Sequence, residues 1–348
     1  MKFRSIASRI IMSVIPMVAI STLIFVVFTY YASFRQINEQ FNERMNESSR
    51  VASLSMQLEL AKNASVTKNM AIYGSTAGVA SALSQELPSF VRESIRSNSN
   101  TVGGGIWYEP YVISNSSKHH SAYAFRANDG ELMVTANYAD DIDYLVQPWY
   151  VDAVNANGEM IWTGVYYDSV ADVTMVTSSQ AFFGADGRIL GVATADMALT
   201  SIREIVGQIS IGETGRAFIL GSSGEYISYI DDSKTVEELI QEDSDVSLAE
   251  LGKVISNNET ARYSMVLDGT KVNVFYSTLP NVGWKLVVFV DDGEIKSSTM
   301  QMVLSFAGIP VLGLILVSIS IVLLTRHLRR IINKVNDFAD KASLVAHQ

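Results

Sequence analysis

Three runs decide how this chain is read: "MIWTGVYYDS" (residues 160–169), "DVTMVTSSQAFF" (172–183) and "RILGVATADM" (188–197). Each alternates apolar and polar side chains, as half-buried antiparallel strands do. The "GADG" at 184–187 is a turn between the last two. Just upstream, "QPWYVDAV" (147–154) places Pro148 where it suits the first position of a helix. Further upstream, "GGGIWYEPYVI" (103–113) carries one apolar strand, and "SAYAFRANDGELMVTANY" (121–138) a hairpin around Asp129-Gly130. Downstream, "LTSIREIVGQIS" (199–210) reads as a helix closing the unit near Gly212.

A smaller unit then repeats the plan. "GRAFILG" and "EYISYI" flank a Ser-Ser-Gly turn; the helix "SLAELGKVISN" follows, then "ARYSMVL", the turn Asp268-Gly269, "KVNVFYSTL" and "GWKLVVFV". Ahead of both units, Phe34 to Ile72 is polar, free of proline and helix-favouring, with apolar residues at three- and four-residue steps (Ile37, Phe41, Met45; then Leu54, Met56, Leu58, Leu60). A second helix spans Ala77 to Ser97, where Pro88 starts, kinks or divides it. The fold class is α+β: two antiparallel-sheet modules on a long N-terminal helix.

Two uncharged apolar blocks, residues 10–32 and 302–325, flank this region. Each exceeds the roughly 20 residues that cross a bilayer core as a helix. The first is longer than a signal peptide's apolar part and ends in aromatics suited to an interface, which favours an uncleaved anchor. Lys2, Arg4 and Arg9 before the first block, and Arg326, Arg329 and Arg330 after the second, place both ends in the cytoplasm. The reading is a two-pass protein of a bacterial inner (plasma) membrane, with residues 33–301 in the periplasm or outside. The expected layout is a cytoplasmic end at 1–9, a span at 10–32, a stalk helix at 33–72, a larger module at 73–212 and a smaller one at 213–300. A span at 302–325 and a cytoplasmic helix at 326–348 complete it.

The external part carries 34 acidic and 18 basic side chains, a net of −16, which argues against nucleic acid as a partner. Cysteine is absent and there are four His, so thiol chemistry and a histidine-rich metal site are not expected; the pair His119–His120 reads as surface. No metal or cofactor is expected. "VGGGI" lacks the context of a phosphate loop, "DDID" lacks an EF-hand pattern, and no catalytic constellation is visible. The chain is not read as an enzyme.

The ordered set "GIWYEP…PWY…YYD…GVATADM" followed by "GETGRAFIL…GEYIS…GWKLVVFV" resembles the double Cache (dCache) extracellular sensor domain over about residues 34–300. That domain occurs on bacterial chemoreceptors, sensor histidine kinases and diguanylate cyclases. The resemblance implies two PAS-like modules, a small-molecule pocket in the membrane-distal one, and a homodimer across the long helix. In amino-acid-binding members an "R-x-W" element precedes a "Y-x-D" and a later Asp; the Arg holds the ligand carboxylate, and the Asp residues and a Tyr hold its ammonium. On that pattern the ligand-binding residues are Gln147, Trp149, Tyr150, Tyr166, Asp168 and Asp196.

Gln147 stands where the pattern has arginine, so the charged fork that grips a carboxylate is lost. The expected ligand is an amine or amino-acid-like compound, with Arg126 on a neighbouring strand as a possible replacement charge. Each residue also has a plainer reading. Trp149 and Tyr150 are consecutive, which works against both facing one core. Tyr166 and Tyr167 point to opposite faces of a strand, and the "Y-x-D" spacing chooses Tyr166. Asp168 alone would be a turn residue, and Asp196 either contacts the ligand or caps the helix that begins near Ala198. Residues 326–348 resemble the first helix of a HAMP linker, without its usual proline near the start. The output, with its cytoplasmic signalling partners, is expected beyond these residues. The expected function is the sensor part of a chemotaxis receptor. Alternatives are the sensor of a diguanylate cyclase or histidine kinase, or a module that reads a periplasmic binding protein.

Overall fold

A computed structural model describes residues 6–77, 81–127, 129–135, 138, 142–209, 212–230, 234, 238–257, 260–280, 282–294 and 297, with scattered residues of 308–337. It divides into two compact units, one of residues 44–292 and the other of 1–43 with 293–348.

In the terminal unit, helix α1 (Ile6–Ala77) begins with an apolar stretch long enough to cross a membrane, whose side chains, such as Leu23, Ile24, Phe25 and Phe28, are exposed. Pro16 lies inside it. Of the span expected at 302–325, residues 308, 312–313 and 315–325 are helical, and the other ten lie outside the described residues.

The larger unit contains both sheet modules. Here α1 runs five residues beyond the expected end at residue 72. Met45, Ala52, Met56, Leu60, Val66 and Met70 are buried on it at helical spacing, whereas Leu54 and Leu58, from the same apolar run, are about half exposed. Helix α2 (Ser81–Arg96) keeps Pro88 inside it. The strands of the first module are β1 (Gly103–Tyr108), β2 (Ser121–Arg126), β3 (Leu132–Thr135), β4 (Ile161–Trp162), β5 (Tyr166–Asp168), β6 (Val173–Phe183) and β7 (Ile189–Ala198), with α3 (Pro148–Asn155) between β3 and β4. They form one antiparallel sheet in the order β3-β2-β1-β7-β6-β4, with β5 also on β6.

The half-buried pattern expected of β6 and β7 is corrected here, because both strands are buried on both faces. One face packs on α1 and α2 through Val66, Met70, Leu87, Val91, Ile95, Ile106 and Ala193. The other carries an aromatic cluster that includes α3. The alternation in sequence therefore separates two interiors rather than core from solvent.

Helix α4 (Leu199–Gly207) leads to the second module: β8 (Arg216–Leu220), β9 (Tyr226–Ser228), α5 (Val246–Asn257), β10 (Thr260–Leu267), β11 (Thr270–Thr278) and β12 (Lys285–Asp291). Asp268 and Gly269 both have positive φ, 48° and 77°, the conformation that suits a two-residue hairpin turn. The sheet order is β10-β11-β12-β8-β9. Read from its other end, it matches β2-β1-β7-β6-β4 strand for strand, and in each module a 3-10 turn and a helix follow the opening strands. The repeat seen in the sequence is therefore a repeat of topology.

Candidate functional site

Asp196 lies on β7 between Gly103 of β1 and Thr177 of β6, and is 2% exposed. Its Oδ1 accepts from Thr177 Oγ1 at 2.8 Å and its Oδ2 from the Tyr123 hydroxyl at 3.0 Å. The Tyr166 hydroxyl lies 2.7 Å from Thr177 Oγ1. Gly103 makes the arrangement possible: a Cβ there would lie 2.6 Å from the Tyr123 hydroxyl oxygen and 2.8 Å from Asp196 Oδ2. The capping reading of Asp196 is excluded, because the residue at the N-cap of α4 is Ala198 and makes no side-chain cap bond.

Asp168, also buried, is held as a turn residue and by a tyrosine. Its Oδ1 accepts from the backbone N–H groups of Val170 and Ala171 at 3.0 and 2.8 Å, as a turn residue does, and its Oδ2 accepts from the Tyr138 hydroxyl at 2.7 Å. Tyr166 faces the site while Tyr167 is exposed. Among the described residues, hydroxyls and amides are the partners of these two carboxylates, and no basic side chain pairs with either. Burial pushes the Asp196 carboxyl up to about 7; the Thr177 hydroxyl pulls it down, the charge of Asp168 adds to the rise, and the Tyr123 hydroxyl opposes it. Burial also raises the hydroxyls of Tyr123, Tyr138 and Tyr166, so they remain donors.

Aromatic rings wall the carboxylates. Trp107 is the hub, with ring centroids 4.7 Å from Tyr138, 4.9 Å from Trp149, 5.4 Å from Tyr144 and 5.5 Å from Tyr123. Its indole N–H donates to Thr194 Oγ1 at 2.9 Å, and Gly105 leaves room for the ring. Trp149 and Tyr150 are both buried in this one cluster, which corrects the expectation that consecutive aromatics would part. They point about 100° apart on α3, and the cluster is broad enough to take both. Trp149 packs on Trp107, while Tyr150 packs on Tyr144 and donates to Glu109 Oε1 at 2.8 Å.

Gln147 is the residue before α3, partly exposed, and its Nε2 lies 3.4 Å from the Asp143 carbonyl, a weak bond. Arg126 does not replace the missing charge. Its guanidinium is committed to the backbone carbonyls of Thr101, Ile95 and Asn98, closing the end of α2. The pair His119–His120 is part-buried rather than free on the surface, against Tyr144 and Tyr108 respectively. Sequence reasoning did not assign Gly103, Trp107, Tyr123, Tyr138 or Thr177 to the site. Trp107 lay within a quoted motif, but the others join the site only through strand register and loop packing.

Residues 87–204 match the family model described as the methyl-accepting chemotaxis protein-like first PDC sensor domain. The chain is 24% identical over 340 residues to the methyl-accepting chemotaxis protein McpB of Bacillus subtilis (strain 168), which covers 95% of this chain and 46% of that protein. It spans less than half the length of the curated relatives it matches first.

Two solved structures share the fold. The extracellular domain of the putative histidine kinase mmHK1S-Z3 superposes with a TM-score of 0.63 at 16% identity, covering 75% of this chain and 97% of that one. The ligand-binding domain of the Pseudomonas fluorescens chemoreceptor CtaA, in complex with L-isoleucine, superposes with a TM-score of 0.52 at 17% identity, covering 76% and 98%. The two sheets on a long helix match Cache-type sensor domains, and the curated relatives this chain matches first are chemotaxis receptors. The matched region is a sensing domain, not an enzyme.

Proposed function

We propose that the chain is the sensor part of a two-pass chemotaxis receptor, whose distal module binds a small molecule bearing an ammonium group between Asp168 and Asp196. The observation that carries this reading is the pair of buried carboxylates with no basic partner among the described residues. Two such groups repel each other and call for a cation or a proton. Trp107, Trp149 and Tyr166 belong to the aromatic cluster beside these carboxylates. Gln147 in place of arginine removes the charged grip on a carboxylate, so the ligand is an amine or an amine-bearing neutral compound rather than an α-amino acid held at both ends. Sensing of this kind passes from the distal sheet to α1 and across the membrane, with a second span at 302–325 and a dimer across α1.

A thermal-shift screen on the full chain in detergent tests the ligand. Stabilisation by primary amines that Asp196→Asn abolishes is the expected result. Stabilisation by common L-amino acids at micromolar levels with no response to amines would refute it.

A further inference from the structure

The second module carries the same acceptor chemistry as the first but satisfies it differently. Asp243 follows the 3-10 turn Ile240–Glu242, and its carboxylate has no exposed surface. The Tyr226 hydroxyl donates to it at 2.6 Å, the Asp245 backbone N–H at 2.9 Å and the Lys234 ammonium at 2.8 Å. Lys234 is itself largely buried, its side chain 14% exposed. Its Nζ lies 5.8 Å from the centroid of the Tyr226 ring, within reach of a cation–π contact, and 4.0 Å from Glu238 Oε2. Burial alone would raise the Asp243 carboxyl; the hydrogen bonds from Lys234, Tyr226 and Asp245 outweigh it and hold the group below its ordinary value.

Tyr226 opens β9, which takes the place in its sheet that β2, bearing Tyr123, takes in the other. In each module a tyrosine hydroxyl from that strand holds a buried carboxylate. In the distal module no basic side chain reaches the carboxylates, among the described residues. In the second module the chain supplies the ammonium itself, through a side chain that lies across an aromatic face as a bound amine would.

We infer that Asp243, Tyr226 and Glu238 form a primary-ammonium pocket that the chain occupies with its own Lys234, so that a free alkylammonium ion binds there only when this side chain is removed. The inference concerns the second module and does not depend on the reading of the distal site. A tethered ammonium acts at an effective concentration of about millimolar or more, so free amines at micromolar levels do not displace it. The second module is thereby held in its occupied state.

Lys234→Ala removes the atoms from Cγ to Nζ, which n-propylammonium replaces. Thermal unfolding of the full chain in detergent, followed by tryptophan fluorescence, reads the effect against sodium chloride of equal concentration. The same addition to wild type subtracts any binding at Asp168 and Asp196. The variant is expected to melt lower than wild type and to regain about 2–4 °C beyond the wild-type response at tenfold excess over the dissociation constant. Adding Asp243→Asn to the variant is expected to abolish that recovery. A lower melting point with no such recovery, or equal recovery with n-propanol, would overturn the inference and leave a structural ion pair. If the variant does not fold unaided, its refolding yield with and without n-propylammonium decides in the same way: no gain in yield overturns it.

Discussion

Asp196 carries the electrostatics of the candidate site. Its carboxyl, with an ordinary value of 3.8, is raised to about 7 in the fold by burial. The folded chain thus binds this proton more tightly than the unfolded chain does. The resulting stabilisation is complete below about pH 4 and is lost as pH rises through about 7. Ligand-free protein is expected to lose up to about 4 kcal/mol from this group over that range. Asp196→Asn should flatten the slope in denaturant unfolding measured from pH 4 to pH 8, and an unchanged slope would count against the assignment. The oddity of this residue was legible in the sequence, since a carboxylate at the end of "LGVATA" is out of place on an apolar strand. Its partners were not. Thr177 lies 19 residues away and Tyr123 lies 73 away, and each becomes a neighbour only through register or close approach across the sheet. Gly103, read from the sequence only as part of an apolar strand, admits both side chains by having none.

At the scale of elements, α1 does more than carry an apolar stripe. Asn63 is fully buried on it; its Nδ2 donates to the Ala195 carbonyl at 2.9 Å and to Ser178 Oγ at 3.1 Å, and its Oδ1 accepts from Thr101 Oγ1 at 2.7 Å. Thr67 adds a hydroxyl contact to Ser178 at 2.6 Å. Ser178 and Ala195 are the chain neighbours of Thr177 and Asp196, pointing to the opposite face of the sheet. The helix therefore grips the backbone directly behind the candidate site. Asn63→Leu leaves three buried groups short of a partner and is expected to lower stability by about 2–3 kcal/mol. The denaturant midpoint should fall with the m-value unchanged; a loss under about 0.5 kcal/mol would show that these bonds hold nothing in place. The helix itself was readable from its three- and four-residue spacing. That Asn63 would be interior was not, because polar residues on an amphipathic helix are outward by default.

Over the whole larger unit, two copies of one topology sit in sequence, and Trp162 of the first meets Trp284 of the second with ring centroids 6.2 Å apart, edge to face. A double-mutant cycle of Trp162→Ala and Trp284→Ala should return a coupling of about 0.5–1.5 kcal/mol; additive losses would mean that the rings do not join the modules. The sequence by itself determined the architecture: an apolar N-terminal helix, two sheet modules in order, and the turns between their strands. These features rest on local periodicity and turn chemistry, which neighbours in the chain dictate. Tertiary structure alone decided that β6 and β7 are buried on both faces and that Trp149 and Tyr150 share one cluster. It likewise decided that Arg126 is committed to the end of α2, and that Lys234 fills the acceptor pocket of the second module. Each of those outcomes depends on register and packing between residues far apart in sequence, which no local pattern encodes.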